Sequence, residues 1–284
     1  MPLPKDFQFS QGSLQDFVEC RRRFYLRYIL KLRWPAVQTE PILQSEHLML
    51  QGAAFHQKIH QYLLGIPVQP PQTEQAENDT LAHWWQNFLT YATPLPGVGV
   101  KAVHRFPEHT LAGTVDGSRL VAKYDLISVL DDRRIILYDW KTSQNKPRRS
   151  WLTARMQTVV YPYLLVIAGQ HLAQPQNFQP HQISMVYWFA AFPEQAETFT
   201  YNQQEFEKAR QQIADMTSLI NRLAQNNDDL HFPLTEDEKR CAYCVYRSLC
   251  NRGVRAGLAG ETFEQDAQMD DIEFSFDQIS EIVF

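Results

Sequence analysis

Two aspartates and a lysine fall within VAKYDLISVLDDRRIILYDWKTS, residues 121–143. Asp125 lies inside one predicted strand and Asp139 near the end of the next, with Asp131-Asp132-Arg133 between them as a hairpin turn. Side by side on paired strands, two carboxylates offer the hard oxygen ligands that suit Mg²⁺ or Mn²⁺. Lys141 follows Asp139 by two residues, so strand alternation puts both side chains on one face. Alone, an Asp-x-Lys triplet is usually a solvated ion pair. Here it ends the apolar run Ile135-Ile136-Leu137-Tyr138, which reads as a buried strand, where a charge is not surface decoration. A carboxylate-held cation beside an ammonium group is suited to breaking a phosphodiester: the one polarises phosphate and acidifies water, the other steadies developing negative charge.

The four cysteines are a second set with chemical potential. Cys241, Cys244 and Cys250 form C-x₂-C-x₅-C, and Cys20 stands more than 200 residues away. In a cytosolic chain disulfides are disfavoured, and four thiols around a CxxC core point to a metal site. Tetrahedral Zn²⁺ and a 4Fe-4S cluster both fit this spacing.

The elements that must position these residues follow from periodicity. Helices are expected over residues 13–32, with Ser13 and Asp16 as a capping-box variant, and over 45–64 and 80–92. Residues 66–79, rich in Pro, Gln, Glu and Asn, read as a loop. KAVHRF, TLAGTV, RLVAKYDLISVL and RIILYDW then read as strands, with a turn at Asp116-Gly117. A helix at 151–168, strands near 182–190 and 196–201, and a helix at 203–225 complete the order. The last helix opens on Asn202 with Glu205 three residues on, and Phe206, Ala209, Ile213, Met216, Ile220 and Leu223 form its apolar stripe. The fold class is therefore α/β, a sheet flanked by helices.

The chain has 284 residues, 44% of them hydrophobic, and a net charge of −5. It holds no run of about 18 apolar residues that would cross a membrane, and its first residues do not resemble a secretory signal. A cytoplasmic protein with no membrane partner is expected. The charge is unevenly spread. Residues 261–284 carry eight acids and no Lys or Arg, so residues 1–260 hold 27 bases against 24 acids, a net of +3. Domain boundaries are read accordingly as 1–260 and an acidic tail, 261–284. The tail reads as a solubilising extension, as a mimic of nucleic-acid charge that folds over a basic groove, or as a segment that docks on a partner. The stretch CRRRFYLRYILKLRW, residues 20–34, has six bases and no acid. Its interleaved Phe24, Tyr25, Tyr28 and Trp34 suit phosphate contact and base stacking, or else an amphipathic helix with a solvated basic face.

Together these motifs resemble the PD-(D/E)XK nuclease superfamily, in particular its RecB-like branch of CRISPR-associated and recombination-repair exonucleases. An aspartate about a dozen residues before a D-x-K triplet matches Asp125 and Asp139-Trp140-Lys141. Thr142 and Gln157-Thr158-Val159-Val160-Tyr161 match the following Thr and a helix bearing Q-x-x-x-Y. Gly52-Ala53-Ala54-Phe55-His56 matches an upstream helix with a Gly and, four residues on, a metal-binding His.

The resemblance implies a restriction-endonuclease-like mixed sheet with a helical N-terminal and a Cys-rich C-terminal segment. It makes His56, Asp125 and Asp139 ligands of Mg²⁺ or Mn²⁺, with the Trp140 carbonyl as a fourth, and Lys141 the catalytic cation. Gln157 and Tyr161, one turn apart, would orient phosphate or Lys141. His60, four residues after His56, reads as a surface or core histidine, or else as a second ligand, and Asp116 as a turn residue. Where the family commonly has Glu on the strand near 100–106, this chain has His104, with Glu108 further on. A subset of these nucleases carries one Cys before and three after the nuclease motifs, all on a 4Fe-4S cluster. That pattern matches Cys20, Cys241, Cys244 and Cys250, with Zn²⁺ the alternative.

The implied activity is hydrolysis of DNA as an exonuclease on single-stranded or frayed ends, in repair, recombination or CRISPR-related processing with protein partners from those systems. The alternative is a catalytically silent DNA-binding module of a repair complex, stabilised by the cysteine site.

Overall fold

The computed structural model describes residues 2–4, 6–32, 40–68, 80–99, 102–173, 177–225, 231–241 and 244–253, with the side chains of 40–49, 102–103 and 173 left aside. The acidic tail, Trp34 and most of the loop expected at 66–79 lie outside the described residues.

Five strands form one mixed sheet in chain order: β1 (Ala102–Val115), β2 (Ser118–Leu130), β3 (Ile135–Lys141), β4 (Ile183–Phe189) and β5 (Phe192–Thr200). β1, β2 and β3 make an antiparallel meander. KAVHRF and TLAGTV, expected as two strands, run on as the single β1. The Asp116-Gly117 turn has φ of +43° and +80°, the paired left-handed geometry of a two-residue hairpin whose twist suits the flanking strands. β3 pairs in parallel with β4 and β5 turns back antiparallel. The parallel step needs a crossover, supplied by α5 (Arg149–Ala154) and α6 (Met156–Ala168).

Each face of the sheet carries its own core. β3 is buried on both, and its alternation sorts its side chains: Ile135 and Leu137 join one cluster, Ile136, Tyr138 and Trp140 the other. The first is completed by Leu14 and Phe17 of α1 (Gln11–Glu19), Val160 and Leu164 of α6, and Ile213 and Ile220 of α7 (Gln203–Gln225). α6 lies so near β1 that a Cβ on Gly113 would stand 3.0 Å from the Leu164 side chain. The second core is largely aromatic. It joins Phe55 and Ile59 of α3 (Glu40–Leu63), Trp84 and Trp85 of α4 (Thr80–Asn87) and Phe88 of the π turn after it with Trp140 and Trp188. By the same alternation Asp139 and Lys141 belong to the α6 face.

The structure corrects the extent of two expected helices. The helix expected at 13–32 breaks at Cys20, whose φ and ψ of −160° and 104° are extended. Its N-cap is Ser10 in a reciprocal capping box with Ser13, because Phe9 is pinned beside β2 by its N–H to Arg119 O and its C=O from Val121 N. After the break come α2 (Arg21–Phe24) and a π turn, Tyr25–Ile29.

Part of this segment's basic face turns inward, while Arg21 and Lys31 are exposed. Arg23 and Arg27 each reach Asp16 at 2.8 Å, and Phe24, Tyr25 and Tyr28 pack with Phe7 and Phe232. Burial among apolar rings is tolerable for these cations because each has an acid to pair with.

The helix expected at 151–168 breaks at extended Arg155, which caps α6. Its guanidinium is fixed by Glu19 at 2.8 Å and lies 4.5 Å from the centre of the Trp151 ring. The α7 helix agrees with its periodicity, and the Glu205 N–H donates to Asn202 Oδ1 at 2.9 Å. Among the described residues no helix is long and apolar enough to cross a membrane.

Candidate active site

The hydrogen-bonded pairing of β2 with β3 ends at Leu126 and Tyr138. The next position on each strand is an aspartate, Asp125 and Asp139, and there the strands fork. Asp125 takes over the role of the missing ladder: its Oδ2 accepts the Trp140 N–H at 2.8 Å, a charge-assisted bond stronger than the neutral one it replaces. β3 stays straight through the fork because its other edge remains paired with β4 as far as Lys141 and Phe189.

Asp139 is 4% exposed, so its charge must be met locally. Lys141 Nζ stands 2.9 Å from its Oδ2, and the Gln157 amide donates to its Oδ1. The same glutamine accepts from Lys141 Nζ at 2.9 Å. Gln157 is in the first turn of α6, so the crossover that makes β4 parallel also delivers this amide to the fork. Beneath Lys141 the Tyr187 ring centre lies 5.4 Å from Nζ, and the Tyr187 hydroxyl is 2.7 Å from Thr158 Oγ1. Tyr187 was not anticipated. Its sign in the sequence is its place on the β4 strand that runs parallel to Asp139.

From the other layer, α3 brings His56, whose Nδ1 is 3.5 Å from Asp125 Oδ1. From β1 comes Glu108, also unanticipated. One ligand atom from each of His56, Glu108 and Asp125 lies within 4.8 Å of the other two, the one such set of His, Cys or carboxylate groups among the described residues. Glu108 sits opposite Asp125 because the hairpin register pairs Pro107 with Leu126 and His109 with Tyr124. Counting outward from the Asp116-Gly117 turn would have found it. His104, where the family commonly has Glu, is exposed, and His60 is not in this set.

The remaining expected residues divide. The Trp140 indole is buried on the opposite face, stacked on Tyr138 at 5.3 Å, and its backbone N–H is what meets the site. Tyr161 lies one turn beyond Gln157 with its ring 4.8 Å from that of Tyr124, and its carbonyl accepts the Tyr124 hydroxyl at 2.9 Å.

The charges have opposed effects on the two aspartates. Burial pushes Asp125 up, but His56, the Trp140 N–H and Lys141 together hold its pKa below the usual carboxylate range. Burial also pushes Asp139 up, with Asp125 adding to it, and Lys141 does not fully offset them, so its pKa is raised. Burial works against a charged His56, yet Asp125, then Asp139 and Glu108, raise its pKa. Two carboxylates driven apart by their surroundings, next to a histidine and a lysine, are typical of a catalytic centre.

The four cysteines also converge. None is in a disulfide. Cys20 closes α1 through its N–H to Asp16 O at 2.8 Å, and its Sγ accepts the Arg23 N–H at 3.4 Å. Burial, then Cys244, Cys20 and Cys241, push the Cys250 thiol up to about 11. Cys241 and Cys244 are raised by burial and likewise by Cys20. These thiols keep their protons at neutral pH, so binding a metal there releases protons.

The model of the PD-(D/E)XK nuclease superfamily matches residues 8–251. The chain belongs to that superfamily, whose members are phosphodiester-cleaving hydrolases. Among solved structures it is similar to SSO0001, with 14% identity over 87% of each chain and a TM-score of 0.41. It is also similar to a candidate exonuclease from Eubacterium rectale, with 10% identity over 78% of this chain and 82% of that one and a TM-score of 0.48. No curated protein sequence matches it.

Proposed function

We propose that this protein is a divalent-metal-dependent deoxyribonuclease acting as an exonuclease on single-stranded or frayed DNA ends. The observation that carries the reading is the fork itself. The family's two aspartates, lysine and glutamine meet there on one connected network, with a histidine arriving from another layer. His56, Asp125 and Asp139 would hold Mg²⁺ or Mn²⁺, with the Trp140 carbonyl as a further ligand. The donor set fits a divalent cation: carboxylate oxygens and one imidazole, with His56 and Asp125 within close reach of each other. Such an ion, when bound, supplies Lewis-acid polarisation of the phosphate and an acidified water.

The chain's own residues do the rest. Lys141 holds a positive charge where negative charge develops, and the site's low polarity strengthens that attraction. Gln157 fixes the ammonium by accepting from it and fixes Asp139 by donating to it. Asp125 holds the fork open by occupying the Trp140 N–H.

The end preference and a place in repair, recombination or CRISPR-related processing, with protein partners there, rest on the RecB-like motifs. The same motifs support a 4Fe-4S cluster on Cys20, Cys241, Cys244 and Cys250. The Arg23 N–H on Cys20 Sγ suits a charged sulfur, and Zn²⁺ is the alternative occupant.

The test uses anaerobically purified protein with Mn²⁺ and end-labelled single-stranded DNA, double-stranded DNA and RNA. Cleavage of DNA by the wild type and its loss in Lys141→Ala are expected. Equal cleavage by the two proteins would refute the assignment of this centre.

A further inference from the structure

Glu108 is a member of the one close ligand set, yet nothing in the D-x-K and Q-x-x-x-Y motifs gives it a task. Its backbone is left-handed at φ +49°, a conformation disfavoured for a residue with a Cβ. The ladder on either side is intact, so the departure is confined to the position opposite Asp125, and the carboxylate reaches the fork. Its Oε2 pairs with Lys123 Nζ at 2.8 Å. The Lys123 side chain is 57% exposed, and an ion pair with so wet a partner is readily exchanged. Asp139, in contrast, has Gln157 on one oxygen and Lys141 at the other.

We propose that Glu108 is a further direct ligand of the divalent cation, joining His56, Asp125 and Asp139, and that Lys123 balances it until the cation arrives. This rests on reading the fork as a metal-dependent nuclease centre. Bonds of about 2.1 Å put ligand atoms at most roughly 4.2 Å apart, so atoms within 4.8 Å need only a small closure. The added carboxylate offsets more of the ion's charge, and Asp139 keeps Gln157 and Lys141 beside it. An imidazole beside carboxylates also binds Mn²⁺ more tightly than Mg²⁺.

Isothermal titration of the full chain with MnCl₂, beside the visible spectrum of its Co²⁺ form, tests this without reference to turnover. Glu108→Gln keeps size and hydrogen-bonding capacity. It should weaken Mn²⁺ binding by about tenfold or more, since even residues behind the ligands cost about 10–100-fold, and should alter the Co²⁺ spectrum. Lys123→Ala should bind Mn²⁺ at least as tightly as the wild type and leave that spectrum unchanged. Wild-type affinity and an unchanged spectrum in Glu108→Gln, with binding lost in Asp125→Asn, would remove Glu108 from the ligand set and leave the centre standing. Binding unaffected in Asp125→Asn as well would overturn the metal centre itself.

Discussion

Gln157 illustrates how little freedom the site leaves a single side chain. Its amide must present nitrogen to Asp139 and oxygen to Lys141, and reversing it sets like against like. Gln157→Glu has the same shape but cannot donate, so it places a second carboxylate against Asp139. Its cleavage rate should fall further than that of Gln157→Ala, and both should retain Lys141. Lys141→Ala should lower turnover on DNA by about 10²–10³-fold, as loss of a preorganised charge-stabilising group does. Single-turnover rates at saturating Mn²⁺ check both. At this scale the sequence was informative, because the chemistry restricts the residue types: Asp125, Asp139, Lys141, Gln157 and His56 do assemble. Glu108 escaped because residues 101–106 and 110–115 read as separate strands, which conceals that one hairpin sets Glu108 against Asp125. Tyr187 escaped because an aromatic in an apolar strand looks like any core residue.

Among the elements, the junction of α1 with α2 ties the most together. Glu19, the last residue of α1, pairs with Arg23 in α2, with Arg155 at the start of α6 at 2.8 Å, and with Arg240 beside Cys241 at 3.4 Å. One carboxylate thus links the first helices, the helix bearing Gln157 and the C-terminal cysteines. Glu19→Gln should cost about 3 kcal/mol, as removing one member of a buried ionic network does. Burial opposes the charge on Glu19, but Arg23 and Arg155 outweigh it, so its folded pKa lies below 4.5. The unfolded chain therefore takes up the proton first as pH falls. The stabilisation is complete above 4.5 and is lost as pH drops through the lower, folded value. Urea melts at pH 7 should show the full gap between wild type and variant, and melts in acid a narrowing one. The break at Cys20 was not readable, since apolar spacing runs unbroken from Leu14 to Ile29. Only pairing across the fold shows why the backbone turns there: Arg23 and Arg27 must swing back onto Asp16. The α7 stripe was readable, because its burial depends on its own periodicity.

On the scale of the whole molecule, the cysteines join the chain's first helices to its last described turns, some 220 residues apart. A group bound there closes a long loop, and chain entropy puts the gain on the order of 5 kcal/mol. Anaerobic protein should be brown and contain iron, and removing the iron should lower Tm by about 10 °C. Colourless protein containing zinc and melting at the same temperature would contradict the cluster. A sheet flanked by helices was legible from alternation and turn residues, its mixed pairing only through the family resemblance, and the two-sided burial of β3 from its continuous apolar run. The bond between Asp125 and the Trp140 N–H also bears on the choice of an inactive protein for trapping substrate. Truncating Asp125 would strip a backbone donor of its acceptor and let the cleft relax, so silence in that protein would not separate lost chemistry from lost shape. Lys141→Met, which retains the length of the stem and leaves the strand geometry alone, is the better decoy.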